Sequence, residues 1–182
     1  MKLIAVLPIA VLVACSQPNQ PATAEPPVNT QQILDRYTQD IWPAISAYNA
    51  EQNQGGPAYT AFGAVIDPAL QDPAGPAGLG LGPLMAAARG LGRQGTYEPA
   101  TKTSHSNDGL QLGTTTLTAA SATTATLLVC YTYTHNWYVD VADTQQEPGA
   151  SQATVELASR DNTWYLHAIT GDHVVPGCGP QR

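Results

Sequence analysis

The sequence predicts an α+β domain, with helices first and an antiparallel sheet second. Two observations carry this. Up to residue 91 the apolar residues recur at spacings of three and four, the period of a helix with one buried face. From residue 110 onward they alternate, the period of strands.

The first helix is expected from Thr30, a hydroxyl residue suited to the N-cap, and runs for about five turns. Its apolar face is Ile33, Leu34, Tyr37, Ile41, Ala44, Ile45 and Tyr48. Pro43 lies inside it and should kink the helix or start a new one, because proline removes a backbone hydrogen bond. A second helix is expected at Ala58–Ile66, stopped by Asp67-Pro68. The proline- and glycine-rich run 67–82 reads as a loop. A third, short helix at Pro83–Leu91 starts with proline in its first turn and ends at Gly92.

The strands follow. A turn at Asn107-Asp108-Gly109 leads into a strand over 110–118, and 124–133 alternates as a long strand. His135-Asn136 reads as a turn before a short strand at Trp137–Val141, and 142–151 (ADTQQEPGAS) as a polar loop. A hairpin then joins 152–159 to 163–170 across Arg160-Asp161-Asn162. The sheet should curl, with one face on the helices. No internal repeat is present.

Composition narrows the class. The 182 residues suit one domain of roughly 100–200 residues. Fourteen acidic residues stand against seven basic ones, and the pI is near 4.7. That balance argues against nucleic-acid binding driven by counterion release, and against a polybasic membrane patch. Charged residues make up 12%, half the usual ~25%.

The N-terminus and the cysteines are the most informative features. Lys2 precedes an apolar run from Leu3 to Ala14, too short for a span of ~20 residues but matching the core of an export signal. Leu12-Val13-Ala14-Cys15 resembles a bacterial lipobox, in which the cysteine thiol receives the lipid and becomes the mature N-terminus. A buried strand ending in a stray cysteine is the alternative. Residues 16–29, with four prolines, read as an extended tether reaching up to ~43 Å. The chain thus divides into a signal (1–14), a lipidated Cys15 with its tether (15–29) and one domain (30–182). Two or three acyl chains would hold such a protein stably on the membrane. With Cys15 assigned to lipid, Cys130 and Cys178 form an even pair, expected to bond in an oxidising compartment. A metal pair or a reactive thiol are the rivals, and no CxxC or HxxxH spacing supports the metal.

Helices followed by a curled antiparallel sheet look like the NTF2-like or cystatin-like α+β cone. Over residues 110–178 the chain also resembles small envelope lipoproteins of actinobacteria, mycobacteria included. The matching run is Val129-Cys130-Tyr131, Trp137-Tyr138-Val139-Asp140, Trp164-Tyr165-Leu166 and Gly177-Cys178. The family often has acidic residues beside the first cysteine, where this chain has Val129 and Tyr131. The resemblance implies a lipid-anchored envelope protein on the extracytoplasmic face and carries no catalytic set. The low Lys and high Ala, Gly and Thr content also suits a GC-rich actinobacterial genome or one of its phages.

A cone of this kind encloses a pocket, and the residues expected near it are Tyr37, Tyr48, His167 and Asp140. An isomerase or dehydratase would need a carboxylate or imidazole there, with a hydrogen-bond donor opposite. His135 and Asp143 are further candidates, though strand-end carboxylates are usually solvated. Ser104, His105 and Asp108 share one turn-rich stretch without a nucleophile elbow. The glycine alternation at 78–82 lacks the strand a phosphate loop needs. Trp137, Tyr138, Trp164 and Tyr165 read as cross-strand packing partners. No metal or cofactor is expected. The preferred reading is a non-enzymatic binding module held on the membrane by its lipid. It would contact an envelope protein or an apolar small ligand, and would act in superinfection exclusion if phage-encoded. The alternative is an isomerase- or dehydratase-type enzyme of the same fold.

Overall fold

The computed structural model describes residues 28–50, 55–72, 80–92, 104–138 and 143–179. Cys15, the expected signal and nearly all of the expected tether lie outside these residues, as does Asp140. The fold is α+β, with a helical layer on one face of a four-stranded sheet.

The first helix is continuous from Thr30 to Ala50 but changes its winding. α1 (Thr30–Arg36) passes through a π turn (Tyr37–Ile41) into α2 (Trp42–Ala50). Its cap is Asn29 and not Thr30, because the Asn29 side chain accepts the Gln32 N–H at 3.2 Å. Pro43 neither breaks nor restarts the helix. It has no N–H for the Gln39 carbonyl and its ring crowds that carbonyl. The preceding turn widens instead, and the Trp42 N–H reaches back to the Tyr37 carbonyl. Tyr37 and Ile41 are both fully buried, while Gln39 and Asp40 between them are exposed.

α3 (Pro57–Val65) and α5 (Leu81–Gly90) match the second and third expected helices within two residues. The stretch read as a loop holds a single helical turn, α4 (Pro68–Gln71), capped by the Asp67 side chain on the Ala69 N–H at 3.0 Å. Asn49, buried on α2, donates its side-chain amide to the carbonyls of Ala88, Arg89 and Leu91 at 3.0–3.1 Å. It thereby satisfies the end of α5.

The strands β1 (Ser104–Ala120), β2 (Thr124–Tyr138), β3 (Thr144–Arg160) and β4 (Thr163–Val174) form an antiparallel meander in the order β1-β2-β3-β4. The sheet is curled and does not close. Three expectations are corrected. His135-Asn136 is no turn, since both residues sit within β2, opposite Glu147 and Gln146. The run 142–151 is strand from Thr144 onward, Pro148 included. Pro148 is tolerated because β4 pairs with β3 only from Ser151, so its missing N–H falls on the open side. The 107–109 turn is likewise part of β1, as a bulge between Asp108 and Gln111.

Alternation on β2 points Ala125, Leu127, Val129, Tyr131 and Tyr133 at the helices, where they meet Ile33, Tyr37, Ile45, Phe62 and Leu84 in one core. The free side of β4 is covered. Arg36 Nε donates to the Trp164 carbonyl at 3.1 Å, the Asp67 N–H to the Leu166 carbonyl at 2.9 Å, and Ile66 bridges Leu166 in parallel. Beyond β4 the chain is held by the Val175 N–H on the Ala150 carbonyl, at 3.0 Å. Cys178 then bonds to Cys130 on β2, Cα to Cα 5.5 Å.

Candidate functional site

Among the described residues, Tyr37, Tyr48 and His167 share no hydrogen bond or ring contact with one another. Tyr37 is fully buried against Trp42, with ring centroids 6.4 Å apart, and its hydroxyl has no partner among the described residues. Burial pushes that phenol far above the usual tyrosine range. Tyr48 stacks on Phe62 at 4.3 Å, with Arg89 over its ring at 4.8 Å. His167 lies at the β4 edge. Asp140 is outside the described residues, and Asp143 is exposed, accepting from Gln145 at 2.8 Å. His135 stacks on Trp137 with centroids 5.6 Å apart. Among the described residues no His, Cys, Asp and Glu group has the geometry to hold a metal, and no helix is long and apolar enough to cross a membrane.

The structure builds two polar clusters that the sequence did not reveal. At the β4 edge, Asp67 is fully buried and receives four hydrogen bonds. Arg160 donates through Nε at 3.1 Å and Nη2 at 3.0 Å, the Ala69 N–H at 3.0 Å, and His167 Nδ1 lies 2.9 Å away. An ionised carboxylate only accepts, so Nδ1 carries a proton. Burial alone would raise the Asp67 pKa. The bonds from Arg160, Ala69 and His167 outweigh it and hold the carboxyl below the usual aspartate range. Four donors saturate the carboxylate. Asp67 is a clasp between the 66–71 segment and the sheet.

The second cluster lies under α5 on the inner face. Tyr131 donates its hydroxyl to Asp172 Oδ1 at 2.5 Å and accepts the Gly92 N–H at 2.7 Å. Tyr133 and Ser151 share a hydrogen bond at 3.0 Å. Burial and the Asp172 carboxylate push the Tyr131 phenol far up. This is a tyrosine–carboxylate pair of the kind an isomerase would use, but it is arranged differently. The phenol proton is committed to Asp172 and the oxygen already holds Gly92, so Tyr131 has no proton to offer a ligand.

Sequence reasoning missed Asp67, Arg160, Tyr131 and Asp172. Asp67-Pro68 carried a cap signal that read only as a helix stop, and Arg160 read as a hairpin residue. For Tyr131 and Tyr133 a signal existed. Alternation placed both on the buried face, where a hydroxyl must find a partner.

Against known proteins, the chain matches no family profile, no curated protein and no solved structure.

Proposed function

We propose that the protein is a lipid-anchored envelope lipoprotein whose domain acts as a binding module on the extracytoplasmic side. The observation that carries the reading is the Cys130–Cys178 disulfide. Bonded cysteines belong to oxidising compartments, and the pairing leaves Cys15, in Leu12-Val13-Ala14-Cys15, as the remaining thiol. Asn29 caps α1 fourteen positions after Cys15, and the proline-rich stretch between them would serve as a spacer. The helix layer over a curled sheet fits an NTF2-like cone. A binding role is favoured over isomerase chemistry because the Tyr131–Asp172 and Asp67–His167 pairs are spent on internal hydrogen bonds.

The test is direct. Expressed in an actinobacterium with a labelled fatty acid, the chain should carry label on Cys15 and sediment with membranes. The Cys15→Ala form should lose both properties. An unlabelled parent chain that fractionates as its variant does would end the lipoprotein reading.

A further inference from the structure

A polar trough lies between the first helix and the β3–β4 turn, at the end of the domain where the tether enters. Its main part is a cleft of about 410 Å³, within the roughly 300–1,000 Å³ of ligand sites. A second hollow of about 250 Å³ shares Asn29, Gln32, Asn162 and Trp164 with it and extends it toward the β1–β2 turn. Five of the ten residues lining the main cleft are carboxamides, against 21 Asn and Gln in the 182-residue chain. Asn29 is used as the helix cap and Gln31 is bonded to Asp35 at 2.8 Å. Gln32, Gln39 and Asn162 make no side-chain hydrogen bond among the described residues.

The charges in the cleft are already engaged. Arg36 pairs with Asp40 at 2.8 Å and caps the Trp164 carbonyl, and Asp35 accepts from Gln31. No free cation is left there among the described residues, so an anionic ligand has nothing to recognise. A carboxamide offers two donors and an acceptor on one neutral group. Three free ones around a trough match a ligand whose groups both donate and accept without charge. Trp164, 6% exposed, contributes an edge to the floor and is no stacking platform. The π turn supplies the remaining wall. Its wider winding keeps Tyr37 and Ile41 in the core while Gln39 and Asp40 line the cleft, and π turns recur at functional sites.

From this geometry we infer that the trough binds a neutral glycan chain, read by the free amides of Gln32, Gln39 and Asn162. The inference goes beyond the anchoring proposal and does not depend on it, because the cleft is complete within the domain. The full-length chain, in a zwitterionic detergent without sugar headgroups, is titrated with maltohexaose, mannohexaose and chitohexaose, and with a heparin hexasaccharide for comparison. Binding is followed by the side-chain amide signals in ¹H–¹⁵N spectra. At least one neutral hexasaccharide should shift the amides of Gln32, Gln39 and Asn162 saturably, and heparin should not. The exposed double variant Gln32→Ala/Gln39→Ala should weaken binding tenfold or more with an unchanged melting temperature. Asn162→Gly, which keeps the left-handed turn, should weaken it severalfold. Saturable shifts from none of the three neutral sugars, stronger binding of heparin, or unaltered affinity in the double variant would each overturn the inference. The Cys15→Ala chain should bind as the parent does, so failure of the anchor and failure of the cleft are read separately.

Discussion

Two devices fasten distant segments to the sheet, and they differ in kind. At the β4 edge the Asp67 clasp holds the 66–71 segment by three hydrogen bonds, from Arg160 and His167, up to 100 positions away. Further across the sheet, the Cys130–Cys178 bond pins the chain beyond β4 back onto β2, beside Gly113 of β1. The clasp depends on ionisation and so on pH, whereas the strap depends on redox state and is indifferent to acid. One domain thus carries two independent fasteners, each with its own agent of release.

The strap should give the largest effect. Its 48-residue separation corresponds to about 4 kcal/mol of lost unfolded-state entropy. Cys130→Ala/Cys178→Ala, or reduction, should lower the melting temperature by about 10 °C. Calorimetry of oxidised and reduced protein checks this, and a change below ~1 kcal/mol would mean that the strap does not limit the unfolded chain.

Breaking the clasp comes next. Arg160→Ala leaves the buried Asp67 carboxylate without its bidentate partner and should cost about 2–3 kcal/mol in denaturant unfolding. The same clasp sets an acid dependence. Asp67 has a folded pKa below its unfolded one, so its contribution is fully present above the unfolded value of about 3.9. It is lost as pH falls through the folded value. Asp67→Asn should flatten that limb of the stability profile, while the double cysteine variant should shift the whole profile down with its shape kept. If both variants altered the acid limb alike, the fasteners would not be independent.

A smaller effect is expected at Gly113. A Cβ there would stand 2.8 Å from the Cys178 Cβ and 3.0 Å from the Cys130 carbonyl oxygen. Gly113→Ala should cost about 1–2 kcal/mol through overpacking. In the double cysteine variant the strap is free to move aside, and most of that cost should vanish. A double-mutant cycle reads the difference, and full additivity would show that the seat of the strap lies elsewhere.

The same contrast explains what was legible in the sequence. The strap followed from three cysteines and a lipobox-like run, which are local facts. The clasp did not, because Asp67 meets Arg160 and His167 across 93 and 100 residues and each looked ordinary in its own surroundings. Helix and strand periods were readable where one face is buried, as in 125–133. They failed where polar residues continue a strand at the open side of the sheet, as at His135-Asn136 and 144–151. Gly149 shows why. Tyr133 lies over it so closely that any Cβ would collide with the ring, so a residue that suggests a turn is there to let a side chain pack.

The smallest expected effect has the opposite sign and lies away from both fasteners. Tyr37 buries its hydroxyl completely and finds it no partner among the described residues, just where the helix widens ahead of Pro43. An unpaired buried hydroxyl costs about 1–3 kcal/mol of desolvation, and the ring itself is held by Trp42 and the surrounding core. Tyr37→Phe removes the cost and keeps the packing. It should therefore leave stability unchanged or raise it by up to ~1 kcal/mol, in oxidised and reduced protein alike and at every pH. Destabilisation beyond ~1 kcal/mol would show that the hydroxyl has a partner in solution, an ordered water being the simplest, and that the π turn encloses a small polar site. Chemical denaturation of the parent and variant decides between the two.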